Sequence, residues 1–266
     1  MVIAFKQDHK DLILKEENNY ITTLSINRPD KKNALNADAL FSLGDIIRGI
    51  KQSDYTRVII LRGTGQSSFS AGLDFSYGVK DYDRTIEGFK YCIASLLSFP
   101  YPIISMVFGP ALGAGLDIAV ISDFRLAAKN ALFGAPLVKL GRIYYYTAIE
   151  RLGNLAGLSA TKELLLIGSF MDADRACQVG LINKVLDPDD LEAFTNSIAK
   201  QIAEEASPLS IRSTKYTINK IFHEKALSSG LKKQLMEIMD NVNQSQDAIE
   251  GLNAKLENRP PKFTGK

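Results

Sequence analysis

The chain has 266 residues, 45% hydrophobic and 23% charged, with a formal net charge of +2. That is ordinary globular composition with no charge excess to call for nucleic acid, and its two cysteines, Cys92 and Cys177, make neither a disulfide framework nor a zinc site. No leader-like start and no apolar run of membrane length occur, so the default expectation is a cytoplasmic, reduced setting without a membrane partner. The only histidines, His9 and His223, stand near opposite ends, so neither histidine acid–base chemistry nor a metal site is expected.

In chain order, residues 12–26 read as two short strands around a polar turn at Glu16-Glu17-Asn18-Asn19. Asn36 is a candidate N-cap for a helix with Leu40, Leu43, Ile47 and Ile50 on one face. The run RVIILR at 57–62 is short, β-branched and bounded by polar residues, as a buried strand is. Residues 81–97 are amphipathic, with Ile86, Phe89, Ile93 and Leu97 at helical spacing, and Pro100 and Pro102 end that helix. A strand at 103–108, a glycine turn, a buried helix and a strand at 124–128 follow. Ser159 is read as the cap of an apolar helix through Ile167, and Asp172 as the cap of a shorter one ending near Gly180. Beyond about Asp187 the pattern is almost wholly helical. Strand–helix alternation predicts an α/β fold.

Two turns carry the chemistry. The first, SFSAGLDF at 68–75, follows the strand at 57–62; the second, GPALGAGLD at 109–117, links a strand to a helix. Turns this rich in Gly and Ala let other atoms approach the backbone. The first N–H groups of the helix also lack intrahelical partners and sit at the positive end of its dipole. Two such turns supply one donor each to a carbonyl oxygen, the usual build of an oxyanion hole. Close packing of strand on helix is the alternative purpose of so many small residues. A dinucleotide-binding G-x-G-x-x-G fails because Ile118 stands at the third glycine, and a nucleophile-elbow G-x-S-x-G fails around Ser70 because its first glycine is Ser68.

These segments carry a resemblance. Asn27-Arg28-Pro29, then KNALN at 32–36, FSAGLD, GPALGAGLDIAVISDFRLA, FGAP at 133–136 and the ending PKFTGK at 261–266 stand in register with the crotonase (enoyl-CoA hydratase/isomerase) superfamily. The resemblance implies a crotonase-like spiral of ββα units over 1–190 and a C-terminal helical trimerisation region over 191–266. Self-association as a trimer or a dimer of trimers follows. It also implies that the N–H groups of Leu73 and Ala114 hold a thioester oxygen. Coenzyme A then enters as part of an acyl-CoA substrate, with no separate cofactor. Its binding would fall to Lys32, Ala34, Ala71, Gly72 and Asp74, and to Phe263 and Lys266 of the tail.

The acid–base positions depart from the family pattern. Where hydratases resembling this chain carry one glutamate, three residues after the second donor, stands Asp117. Its carboxylate is the catalytic candidate, although an acidic residue in the first turn of a helix also serves the dipole. Where the second glutamate follows the proline of FGAP stands Leu137, which transfers no proton, so ordinary hydration is not expected. The next segment reads LGRIYYYT, 140–147. Its Leu-Gly-x-x-Tyr resembles acyl-CoA decarboxylases of the same superfamily, such as methylmalonyl-CoA decarboxylase, and singles out Tyr144 as a donor. Tyr145 and Tyr146 are read as subunit-contact aromatics, and Lys139, Arg142, Glu150 and Arg151 as surface or interface polar groups. The resemblance implies an enzyme of the hydratase/isomerase type, with decarboxylation as one alternative. A catalytically silent acyl-CoA-binding or scaffold protein is the other.

Overall fold

A computed structural model describes residues 12–53, 55–74, 81–140, 142–223, 229–257 and 259–266. His9, Phe75 and Gly141, named above, lie outside them. The expected α/β alternation forms. Strands β1 (Ile13–Asn18) and β2 (Ile21–Ile26) make an antiparallel hairpin. Its turn is Asn19-Tyr20, both at positive φ (45° and 66°), so the expected turn at 16–19 is corrected: Glu16, Glu17 and Asn18 extend the strand. Helix α1 (Ala37–Ser53) follows Asn36, whose Oδ1 accepts the Ala39 N–H at 3.0 Å. That is the expected N-cap.

Strands β3 (Val58–Gly63), β4 (Ile103–Val107), β6 (Phe124–Ala128) and β9 (Lys184–Leu186) run parallel beyond β2, giving the order β1-β2-β3-β4-β6-β9. Alternation along these strands sorts two buried faces. Ile59, Leu61, Ile103 and Val107 join the core that also holds Leu40, Leu43, Ile47 and Ile50 of α1, and Phe89 and Leu96 of α2 (Tyr82–Leu97). Val58, Ile60, Ile104, Met106 and Phe108 face the other way, against Leu191, Ala199 and Ala203 of α6 (Pro188–Glu204). The expected division at 190/191 thus falls inside a helix that covers the second face of the main sheet.

A second sheet went unread in the sequence because its strands are three residues each: β5 (Pro110–Leu112), β7 (Leu132–Gly134) and β8 (Phe170–Asp172), in the order β5-β7-β8. It braces α3 (Ala114–Ile121), which starts directly after β5 across Gly113. Helix α4 (Tyr146–Lys162) runs into a π-helical turn, Glu163–Ile167. Its internal break is at Gly157 (φ 78°, ψ 165°), so Ser159 lies just past the break and is not the cap expected of it. Asp172 does cap α5 (Ala173–Gln178), accepting the Arg175 N–H at 2.8 Å. Helices α7 (Pro208–His223), α8 (Ser229–Asn243) and α9 (Gln246–Leu256) complete the C-terminal third. Among the described residues no helix is long and apolar enough to cross a membrane.

Candidate active site

The two small-residue turns meet at their backbones. Leu112 N–H donates to the Ser70 carbonyl at 2.9 Å, and Ser70 bridges Ala111 in parallel register. A methyl group on Gly72 (φ +91°) would stand 2.7 Å from the Leu112 oxygen and 3.4 Å from the Ala114 nitrogen; one on Gly115 would stand 2.7 Å from the Ser70 oxygen. Only glycine fits either place. On the far side of the first turn, Leu35 donates to the Gly72 carbonyl and accepts from Asp74 N–H, at 2.8 and 2.9 Å. That parallel bridge turns the intervening Leu73 N–H away from Leu35. Ala114 is the first residue of α3, so its N–H has no intrahelical acceptor. Among the described residues neither N–H has a hydrogen-bond partner, and both residues line one cavity of about 140 Å³.

Asn33 braces the first turn. It is fully buried; its Nδ2 donates to the carbonyls of Ser68 (2.7 Å) and Thr64 (3.1 Å), and its Oδ1 accepts Arg28 N–H (3.1 Å). Arg28 then pairs with Asp74 at 2.8 Å and donates to the Ala34 carbonyl at 2.6 Å. The NRP and KNAL motifs were legible in the sequence, but not that their side chains hold the first glycine turn.

Asp117 lines the same cavity, 1% exposed. Arg151, expected at the surface or an interface, instead reaches back from α4 and grips it. Its Nη2 lies 2.7 Å from Oδ2 and 2.9 Å from Oδ1, and its Nε lies 3.1 Å from Oδ1. Burial pushes the Asp117 carboxyl above the usual carboxylate range, while the Arg151 hydrogen bonds and charge pull it back. Tyr144 is buried in the cavity wall. Its hydroxyl donates to the Gly113 carbonyl at 2.8 Å, so its single proton is directed at the second glycine turn. Burial first, then the Asp117 charge, push the phenol well above its ordinary value, so it stays neutral.

Leu137 lines the cavity, as do Phe89, Leu112, Pro136, Leu140 and Ala148, so most of the wall of Asp117's cavity is apolar. Tyr145, expected at a subunit contact, also lines it and stacks on Phe89, with ring centroids 6.2 Å apart. Tyr146 is 80% exposed, and the Arg142 guanidinium lies 4.5 Å from the Tyr82 ring centre. Of the residues expected to hold coenzyme A, five are gathered here. Ala71 and Gly72 line the cavity; Ala71 N–H donates to the Lys32 carbonyl at 3.0 Å; Ala34 and Asp74 meet through Arg28. The Asp74 carboxylate is turned inward to that ion pair, and Lys32 is exposed. Phe263 and Lys266 are not among the cavity residues. The tail folds on α9, where the Asp247 carboxylate accepts Thr264 and Gly265 N–H at 2.7 and 2.9 Å.

The enoyl-CoA hydratase/isomerase family model matches residues 16–266. The chain is 36% identical over 214 residues to the short-chain-enoyl-CoA hydratase of Clostridium acetobutylicum, covering 78% of this chain and 81% of that one. It is 31% identical over 265 residues to the crotonyl-CoA hydratase of Syntrophomonas wolfei, covering 97% and 99%. A solved enoyl-CoA hydratase/carnithine racemase from Magnetospirillum magneticum superposes with a TM-score of 0.89 at 30% identity, over 96% of each chain. The match runs from residue 16 to residue 266, and so takes in both glycine turns, Asp117 and the helical C-terminal third: the chain belongs to the enoyl-CoA hydratase/isomerase family.

Proposed function

We propose that the chain is an acyl-CoA isomerase-type enzyme that holds a thioester oxygen between the Leu73 and Ala114 N–H groups and moves a proton with Asp117. The observation that carries this reading is that Asp117 is the only carboxylate among the described residues lining the cavity that holds both donors. With a 3-enoyl thioester, the Asp117 carboxylate takes a proton from C2. The C–H electron pair moves into the C1–C2 bond, and the carbonyl oxygen becomes the oxyanion that the two N–H groups stabilise. The Asp117 carboxyl then returns the proton at C4, leaving the double bond between C2 and C3. No water enters and one side chain suffices. Hydration requires a second group to activate water, and Leu137 offers none.

Coenzyme A is read as part of the substrate, entering past Lys32, Ala34, Ala71, Gly72 and Asp74. Phe263 and Lys266 serve it from a neighbouring subunit of a trimer or dimer of trimers. Decarboxylation draws less support than the Tyr144 motif alone gave it, because that hydroxyl is engaged with Gly113.

The test is Asp117→Asn with 3-hexenoyl-CoA. The variant is expected to lose roughly 10²–10⁴ in kcat, the range for a positioned acid–base group, with KM changed far less. A kcat within threefold of the parent would refute Asp117 as the proton carrier.

A further inference from the structure

Asp117 is a short carboxylate, 1% exposed, in a cavity whose remaining side chains are almost all apolar. An isolated charge in such a place is expelled or neutralised. Arg151 is what faces it: both carboxylate oxygens lie within 3.1 Å of its nitrogens, and its side chain is 15% exposed.

We infer that Arg151 is a positioning residue: its two-point fork keeps Asp117 ionised and fixes the direction from which it meets the substrate, which makes this buried carboxylate a base. The inference rests on the proposed role of Asp117.

The other ionisable neighbours do not take over that task. Tyr144 donates its hydrogen bond to the Gly113 carbonyl, and Tyr145 stacks on Phe89. Cys92 of α2 is a buried thiol pushed up to about 12, and so stays uncharged. Behind Arg151, in a separate cavity, Lys215 is held by Asp123 at 2.7 Å, and Arg125 donates to the Leu181 carbonyl at 2.8 Å. β5 contributes no ionisable group.

Two readouts on the full-length protein test this. The first is carbon-13 NMR titration of the Asp117 carboxyl, assigned by loss of its signal in Asp117→Asn. The second is the pH dependence of kcat for 3-hexenoyl-CoA. A base works only when deprotonated, so activity falls as pH drops through its pKa. Arg151→Gln removes the cation and is expected to move both the titration and the acid limb to higher pH by roughly one to three units, the usual influence of an adjacent guanidinium. Above that limb kcat should recover most of the pH-dependent loss but stay below the parent value, because the fork is lost as well, with KM within about threefold. Arg151→Lys keeps the charge and loses the fork. It is expected to shift the titration by less than Arg151→Gln does and to lower kcat, and it decides the matter if the Gln variant does not fold. An unmoved titration, an equal loss of kcat at every pH, or full kcat in Arg151→Lys would overturn the inference. Absence of any parent turnover would sink the proposed reaction, while the titration would still report whether Arg151 governs Asp117.

Discussion

At the scale of residues, the site turns on two positions, 117 and 137. Leu137 lines the cavity that holds Asp117, so that part of its wall is apolar. Replacing it by a carboxylate should supply the missing group. Leu137→Glu is expected to raise hydration of crotonyl-CoA at least tenfold over the parent, measured by loss of the conjugated enoyl absorbance. No gain in a folded variant would mean that a feature other than position 137 suppresses hydration. Residues 73, 114, 117 and 137 were singled out in the sequence by the family resemblance, which places each at a fixed offset from a glycine or proline of a matched motif. The Arg151 contact was not. It joins residues 34 apart across two helices, and a charged residue inside an amphipathic helix reads the same whether it faces solvent or a buried partner. Asn33 was equally hidden: its motif was visible, yet three hydrogen bonds to distant backbone are a tertiary fact.

At the scale of elements, the proposed oxyanion hole is a contact between two turns rather than a set of side chains. The long strands and helices were legible because their apolar residues recur at periods of two and 3.6. The three-residue strands β5, β7 and β8 were not, since so few residues hold no period, and Tyr20 at positive φ gave no turn signal. Gly72 is where the two turns come closest. Gly72→Ala would set a methyl group 2.7 Å from the Leu112 oxygen at a φ of +91°, forcing the turns apart. It is expected to cost roughly 10²–10³ in kcat, as removing one oxyanion donor does. The check is steady-state kinetics on 3-hexenoyl-CoA, with circular dichroism to establish that the fold is kept. Parent-like turnover would show that the two N–H groups need not be held at this spacing.

At the scale of the whole molecule, the chain leaves apolar side chains uncovered beside the site. Ile143, Leu158 and Leu166 are 84%, 67% and 70% exposed and line a shared groove of about 460 Å³ that has Leu137 and Tyr144 in its wall. Exposed apolar surface of this kind marks an interaction face. The family likeness points to other copies of the chain as its cover, and closed symmetry is the usual outcome of self-association. Sedimentation equilibrium is expected to give three or six times the 29.3 kDa chain mass, and a stable monomer at micromolar concentration would contradict the expected assembly. The assembly and the placement of the Phe263 and Lys266 tail stand or fall together, because within one chain the tail lies on α9, away from the cavity. On the proposed reading, one carboxylate beside two backbone donors should migrate a double bond and not add water. The most direct test of that reading is to give the intact protein 3-hexenoyl-CoA, crotonyl-CoA and methylmalonyl-CoA in parallel and to identify each product by mass and chromatography. The predicted result is rapid formation of 2-hexenoyl-CoA with little 3-hydroxybutyryl-CoA and little propionyl-CoA; hydration of crotonyl-CoA faster than isomerisation of the 3-enoyl substrate would contradict it.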